Sequence, residues 1–275
     1  MEIGKTMKTL ENGYHCVVCV KQVPDTKQVT GDAMKADGTI NRAALPAIFN
    51  PEDKCALEAA LRIRDEHGGR VSVVTMGLPS ATAVLREALM CGADDAYLVT
   101  DRRAGASDTL ATSYILSCAV AKLAPDMVFC GRQAIDGDTA QVGPQIAEKL
   151  GFALVTYAES VRIEDGAAIS VRDIGTAVET LKTQLPALFT VVAAAGELRP
   201  VNVRRMMKYK NAEPTVWSLD DIGAEIARCG KAGSPTNVSK VESVVLAGGD
   251  YREFAADAGG VAELISALMT DHTLG

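Results

Sequence analysis

From Tyr14 onward the chain alternates two periods: short β-branched apolar runs, and longer stretches in which apolar positions recur at helical spacing. That alternation predicts a parallel sheet with crossover helices. The first strand is expected at His15–Val23. Asn50-Pro51-Glu52-Asp53 then supplies a cap, a proline at the first helical position and two first-turn acids, so a helix should run to about Glu66, closed by Gly68-Gly69. A strand at Arg70–Met76, a helix from about Ser80 to Cys91 ended by Gly92, and a strand at Ala96–Val99 follow. Ser107 or Asp108 caps a helix to Leu123, Asp126–Cys130 reads as a short buried strand, and Asp138 caps a helix over Thr139–Leu150. From Leu154 only strands are expected, with Glu164-Asp165-Gly166 as a hairpin turn, so the sheet should finish in antiparallel strands.

Past Pro200 the pattern changes to a basic stretch, then Trp217-Ser218-Leu219-Asp220-Asp221, then a Gly/Ser/Pro linker around Gly230 to Asn237. An extended piece at Val238–Leu246 and an amphipathic helix near Val261–Met269 end the chain. About 40 residues with one modest helix cannot bury enough apolar surface alone. The expected division is therefore an N-terminal extension over 1–13, an α/β domain over 14–229, and a C-terminal arm over 230–275 that packs on another domain or chain. No internal repeat or low-complexity tract is visible.

Composition narrows the class. The 275 residues are 48% apolar and 23% charged, enough for one large domain with an appendage. A net charge of −7 and a pI near 5.1 disfavour non-specific binding to nucleic acid or to an anionic membrane. Apolar runs such as Ala187–Ala195 stop well short of the roughly 20 residues that cross a bilayer. Met1–His15 carries Lys5 and Lys8 without an apolar run or cleavage site, so a cytoplasmic location is expected. Seven scattered cysteines read as reduced, mostly buried thiols.

In open parallel sheets ligands sit beyond the carboxyl ends of the strands. Four loops qualify: Cys19 to Gln22, Asn50-Pro51, Met76-Gly77, and Gly131 to Pro144. The last joins glycines, a helix N-terminus, Thr139 and Gln141, a set suited to phosphate. Asp136 and Asp138 fit sugar hydroxyls or capping, hence a nucleotide better than free phosphate; a loop that merely caps a helix is the other reading. Neither GxGxxG nor GxxxxGK[ST] occurs, and no GxSxG elbow. Cys16 and Cys19 have CxxC spacing but lie within a strand, on opposite faces. His15, His67 and His272 have no partners at ligand spacing, so no metal is expected. The five cations between Arg199 and Lys210 depart from the global charge, either as a solvated face or as a docking loop with Met and Val contacts.

Taken together, Val20-Lys21-Gln22-Val23-Pro24-Asp25, Asn50-Pro51, Arg86-Glu87-Ala88-Leu89 with Gly92-Ala93-Asp94, Gly131 through Gly143, and Glu179 through Thr190 resemble the β subunit of electron transfer flavoproteins, from about His15 to the C-terminal arm. The resemblance implies a Rossmann-like fold of the adenine nucleotide α-hydrolase type, a mostly parallel twisted sheet with helices on both faces and antiparallel edge strands. It also implies a heterodimer with an α subunit and one nucleotide held by this chain. In ordinary carriers that nucleotide is AMP; in electron-bifurcating members it is FAD, fed by NADH, and the version Asp136 to Pro144 looks like the latter. One electron would go to a low-potential acceptor such as ferredoxin, the other through the partner's FAD to an acyl-CoA dehydrogenase or similar flavoprotein.

Carried over by position, Cys19, Lys21, Asn50, Asp53, Met76, Gly131, Ala134, Ile135, Asp136, Gly137, Asp138, Thr139, Ala140, Gln141, Val142 and Gly143 would hold the nucleotide, with 137, 138, 139 and 141 nearest the phosphates. Arg199, Val203, Arg204, Arg205, Met206 and Lys208 would form the partner-recognition loop. Gly175-Thr176-Ala177-Val178 departs from the family's signature, which usually has an acid and glycines there. The rivals are an AMP-holding carrier of the same fold and, from another class, a stand-alone ATP-binding stress-type protein. The sequence shows no catalytic acid/base set of its own, so the chain is expected to be an electron-transfer subunit of an oxidoreductase complex and not an enzyme alone.

Overall fold

The computed structural model describes residues 13–25, 45–236 and 251–274. Strand β1 (Tyr14–Cys19) is buried along nearly its whole length, as a strand covered by helices on both faces must be. The chain then breaks step. Gln22–Pro24 forms β2, which pairs antiparallel with β3 (Ala47–Phe49) in a separate two-stranded ribbon, so the expected His15–Val23 strand is two strands in two sheets. Helix α1 (Pro51–His67), β4 (Gly69–Met76), α2 (Thr82–Cys91) and β5 (Asp95–Val99) follow close to the expected positions. Asp108 rather than Ser107 caps α3 (Thr109–Leu123), its carboxylate accepting from Ala111 N at 3.0 Å.

After β6 (Met127–Gly131), helix α4 spans Val142–Leu150 and not Thr139–Leu150. Asp138 is no cap, because its backbone and that of Ala140 have turned left-handed, at φ +46° and +53°. Next come β7 (Ala153–Glu164), β8 (Ala167–Asp173), β9 (Val178–Thr183) and β10 (Ala187–Val191). Asp165 and Gly166, both at positive φ, make the two-residue turn between β7 and β8. β7, β8 and β9 do end the sheet antiparallel at one edge, but β10 leaves that run and inserts parallel between β6 and β7.

The rest is α5 (Val203–Tyr209), β11 (Thr215–Trp217) and α6 (Ala258–Thr270). The nine-stranded order is β11-β5-β4-β1-β6-β10-β7-β8-β9. Alternate residues of β1 point to opposite cores: Cys16 and Val18 join Leu57 and Leu61 of α1 and Leu85 of α2, while Val17 and Cys19 join Ile115 of α3 and Ile146 of α4. The sheet therefore has helices on both faces. The Val238–Leu246 piece and the extension before residue 13 lie outside the described residues.

Chain order reverses at β1: β4 and β5 lie to one side, β6 and β10 to the other. The carboxyl ends of β1 and β6 thus splay apart at a switch point, where a crevice opens.

Candidate functional site

The crevice is organised by the first turn of α1. Asp53 Oδ2 accepts from Lys21 N at 2.8 Å and its Oδ1 from Gly131 N at 3.1 Å, so one carboxyl ties the ends of β1 and β6 together. Burial pushes this carboxyl up to about 7, against the opposing pull of the Asn50 amide and the two backbone donors. Asn50 Nδ2 donates to Gln133 O at 2.9 Å, and its Oδ1 accepts from Ile135 N at 3.2 Å. Glu52 Oε2 accepts from Gln133 N at 3.0 Å. Three polar side chains at one helix start, at positions 50, 52 and 53, thereby hold the end of β6 and the loop after it.

That loop is then drawn back across the opening. Lys21 Nζ meets Asp136 Oδ1 at 2.7 Å, and Gln133 Nε2 donates to Asp138 Oδ1 at 2.9 Å. Gln141 Oε1 accepts from Thr109 Oγ1, and Gln145 Oε1 from Ser113 Oγ, both at 2.8 Å, fastening the start of α4 to α3. The result is a cleft of about 420 Å³. The first turns of α3 and α4 both border it, at Asp108 to Thr112 and at Gln141 to Gly143. The start of α4 has no side-chain cap, so its first N–H groups stay available beside this space, whereas those of α3 are taken up by the Asp108 carboxylate. Met76, Leu116 and Val142 supply apolar wall. Gly137 leaves open space, with nothing within 4 Å of where a Cβ would stand.

Of the residues expected here, Cys19, Lys21, Asp53, Met76, Gly131, Ala134 and 137 through 143 line the cleft. Asn50, Ile135 and Asp136 do not; they hold the loop from behind or from its outer side. Sequence reasoning missed Ser107, Asp108, Thr109, Thr112 and Leu116, although the cap at 108 was a usable signal once α3 was placed beside β1. It also missed Cys130, while Arg132 and Gln133 lay within the 131–144 loop without being singled out. Cys130 faces Cys19 in register, and their hydrogen bond, with burial, pushes the Cys130 thiol well up and keeps it protonated. No cluster of three or more metal-ligating side chains occurs among the described residues, and no helix among them is long and apolar enough to cross a membrane.

The segment from Arg199 is not a loop throughout: Val203–Tyr209 is helical, capped by the Asn202 side chain. Arg199 is engaged with Glu58 at 2.9 Å and Asp65 at 2.6 Å, and Arg205 with the carbonyls of Leu89 and Ala93. Both cations therefore fasten the segment to α1 and to the end of α2, and neither is free on the surface. Val203 (66% exposed) and Met206 (42%) project outward beside Arg204 and Lys208.

Asp108 allows a direct test. Hydrogen bonds from Ala111 and Thr236 hold its carboxyl below the usual range even though burial opposes them. Asp108→Ala should cost about 1 kcal/mol, the ordinary value of an N-cap. Because a lowered pKa stabilises only while the group is ionised, the difference from wild type in urea unfolding should begin to shrink as pH falls below the ordinary value of 3.8 and go on shrinking through the lower folded value.

The model of the electron transfer flavoprotein domain matches residues 37–222 of this chain. Protein FixA of Azorhizobium caulinodans is 48% identical over 236 residues, which are 82% of this chain and 83% of that protein. The electron transfer flavoprotein subunit beta of Clostridium acetobutylicum is 46% identical over 225 residues, 82% and 86% of the two chains. The caffeyl-CoA reductase-Etf complex subunit CarD of Acetobacterium woodii is 43% identical over 261 residues, 94% of each.

Proposed function

This chain belongs to the electron transfer flavoprotein family, beside its β subunits and FixA proteins, and we propose that with an α subunit it binds FAD, draws electrons from NADH and bifurcates them to ferredoxin and to an acyl-CoA dehydrogenase-type partner. The observation that carries the reading is the loop from Gly131 to Gly143. It takes left-handed backbone at Ala140, which alanine seldom adopts, as well as at Asp138, and so lays two helix starts along one cleft. Strain of this kind persists where a ligand uses the geometry.

The donor set fits a dinucleotide. N–H groups at the start of α4, with Thr139 and Gln141, would hold the diphosphate; Met76, Leu116 and Val142 would flank a flat ring; Asp136 keeps Lys21 folded over the opening. When bound, the flavin supplies the hydride and single-electron chemistry. The chain's own part is to bind, to orient and to exclude water. CarD's naming as a subunit of a caffeyl-CoA reductase complex supports a partner that acts on CoA esters. The exposed Val203 and Met206, ringed by Arg204 and Lys208, suit the docking of such a partner.

Co-expression with the α subunit, denaturation of the purified complex and chromatography of what is released should give two FAD per heterodimer and no AMP. One FAD with one AMP would make the chain a simple carrier. A complex with no nucleotide from this chain would overturn the reading.

A further inference from the structure

Two thiols meet at the floor of the cleft. Cys19 ends β1, Cys130 lies in β6, and the two residues are in register on neighbouring parallel strands. Both side chains belong to the sheet face packed by α3 and α4, in one core with Ile115 and Ile146. Cys16, three residues before Cys19, lies on the opposite face with Leu57 and Leu85. Cys19 and Cys130 both border the cleft, at 7% and 6% exposure.

Their spacing suits a covalent bond. Neighbouring strands of a sheet run about 4.8 Å apart, within the roughly 4.4–6.8 Å that a disulfide spans between Cα atoms. The thiols are already in contact through a hydrogen bond that favours the protonated form of Cys130. A bond of that sense is one the thiol donates, so the sulfur of Cys19 is the acceptor and the freer nucleophile. The pair also lies under the phosphate end of the cleft. A Cβ built on Gly143, in the uncapped first turn of α4, would stand 3.5 Å from Cys130 Cβ and 2.8 Å from Thr190 Cγ2. The start of α4 therefore rests directly on β6 and β10, with no slack to absorb a shift of Cys130.

We propose that Cys19 and Cys130 form a reversible oxidation site, open to peroxide while the cleft is empty and covered by bound nucleotide, whose disulfide blocks nucleotide loading. Peroxide is close to water in size and can reach the cleft floor. The Cys19 thiolate attacks one peroxide oxygen, the O–O bond breaks, and Cys19 becomes a sulfenic acid as hydroxide leaves. Cys130 sulfur then attacks Cys19 sulfur, the S–O bond breaks, and the oxygen leaves as water with the Cys130 proton. In sum, two thiols give up two electrons and two protons, and peroxide becomes two waters. The bond draws the ends of β1 and β6 together, and the splay of those two ends is what opens the crevice. A dithiol reductant reverses it. The effect on loading rests on the nucleotide reading of the cleft; the bond itself does not.

The test uses the heterodimer, dialysed free of nucleotide or reloaded with FAD, then exposed to hydrogen peroxide, alkylated and mapped by peptide mass. The emptied complex should yield a peptide that joins Cys19 to Cys130, and the loaded complex should not. Cys118, the one cysteine that is not buried, should be alkylated in both and serves as the control. Oxidised complex should lose FAD uptake and regain it with dithiothreitol. In Cys130→Ser the peroxide product should stop at a sulfenic acid on Cys19, trapped by dimedone. In Cys19→Ala, uptake measured against its own untreated sample should no longer respond to peroxide. No joined peptide from the emptied wild-type complex, equal yields with and without FAD, or full FAD uptake by the disulfide form would each overturn the proposal. Failure of the reduced wild-type complex to take up either FAD or AMP would instead overturn the nucleotide reading, whatever the thiols do.

Discussion

Asp53→Ala should cost about 4 kcal/mol at pH 5, a cost that shrinks as the pH approaches 7. The carboxyl is fully enclosed and accepts from the backbone N–H groups of Lys21 and Gly131. Alanine leaves both donors buried and unpaired, at about 1–3 kcal/mol each. The pH dependence follows from the raised pKa. Between the ordinary carboxylate value of 3.8 and about 7, the folded protein keeps a proton that the unfolded chain gives up. Folding is then favoured at the lower pH, and that contribution is lost as pH rises through the folded pKa, at about 1.4 kcal/mol per pH unit. The variant lacks the group and lacks this slope. Urea unfolding of both proteins at several pH values between 4 and 8 reads the difference; a difference that stays flat over the window would mean that Asp53 ionises normally. Nucleotide binding should fall with the same substitution, because the Asp53 bonds set where the Lys21 and Gly131 loops leave the sheet.

The sheet was legible because buried parallel strands and amphipathic helices carry different periods, and because caps such as Asp108 and Asn50-Pro51 are local chemistry. The 131–143 loop could be picked out as a candidate for the same reason: Gly137, Thr139 and Gln141 lie in one short run before a helix. What the periods do not encode is long-range pairing. Nothing in Ala187–Val191 says that it returns to lie between β6 and β7 rather than beside β9, since both places bury it on two faces. Nor does apolarity show that His15–Val23 parts at Val20, where the chain leaves one sheet for another. The start of α4 was placed three residues early because Asp138 is a good cap by type, yet here its backbone is left-handed. Charge alone does not tell Arg199 and Arg205 from a solvated face; only their acceptors, Glu58 and the carbonyls of Leu89 and Ala93 at the end of α2, show them to be internal ties.

Gly131→Ala should destabilise the protein by about 3 kcal/mol and abolish nucleotide retention, while Gly137→Ala, six residues on in the same loop, should leave stability within about 0.5 kcal/mol of wild type. The contrast is steric. A Cβ on Gly131 would stand 2.4 Å from Asp53 Oδ1 and 2.8 Å from both Asp53 N and Glu52 C. Two of those three atoms are backbone of the first turn of α1, so rotating a side chain cannot clear the methyl group. Relief requires α1 to draw back from β6, and that movement stretches the bond from Gly131 N to Asp53 and those from the 133–135 loop to Glu52 and Asn50. The cleft would therefore lose its loop along with the helix that holds it. At Gly137 the same methyl group meets only open space, so equal losses in the two variants would mean that the loop is not anchored through α1. Thermal unfolding and retained nucleotide, measured on both proteins prepared side by side, decide between the two.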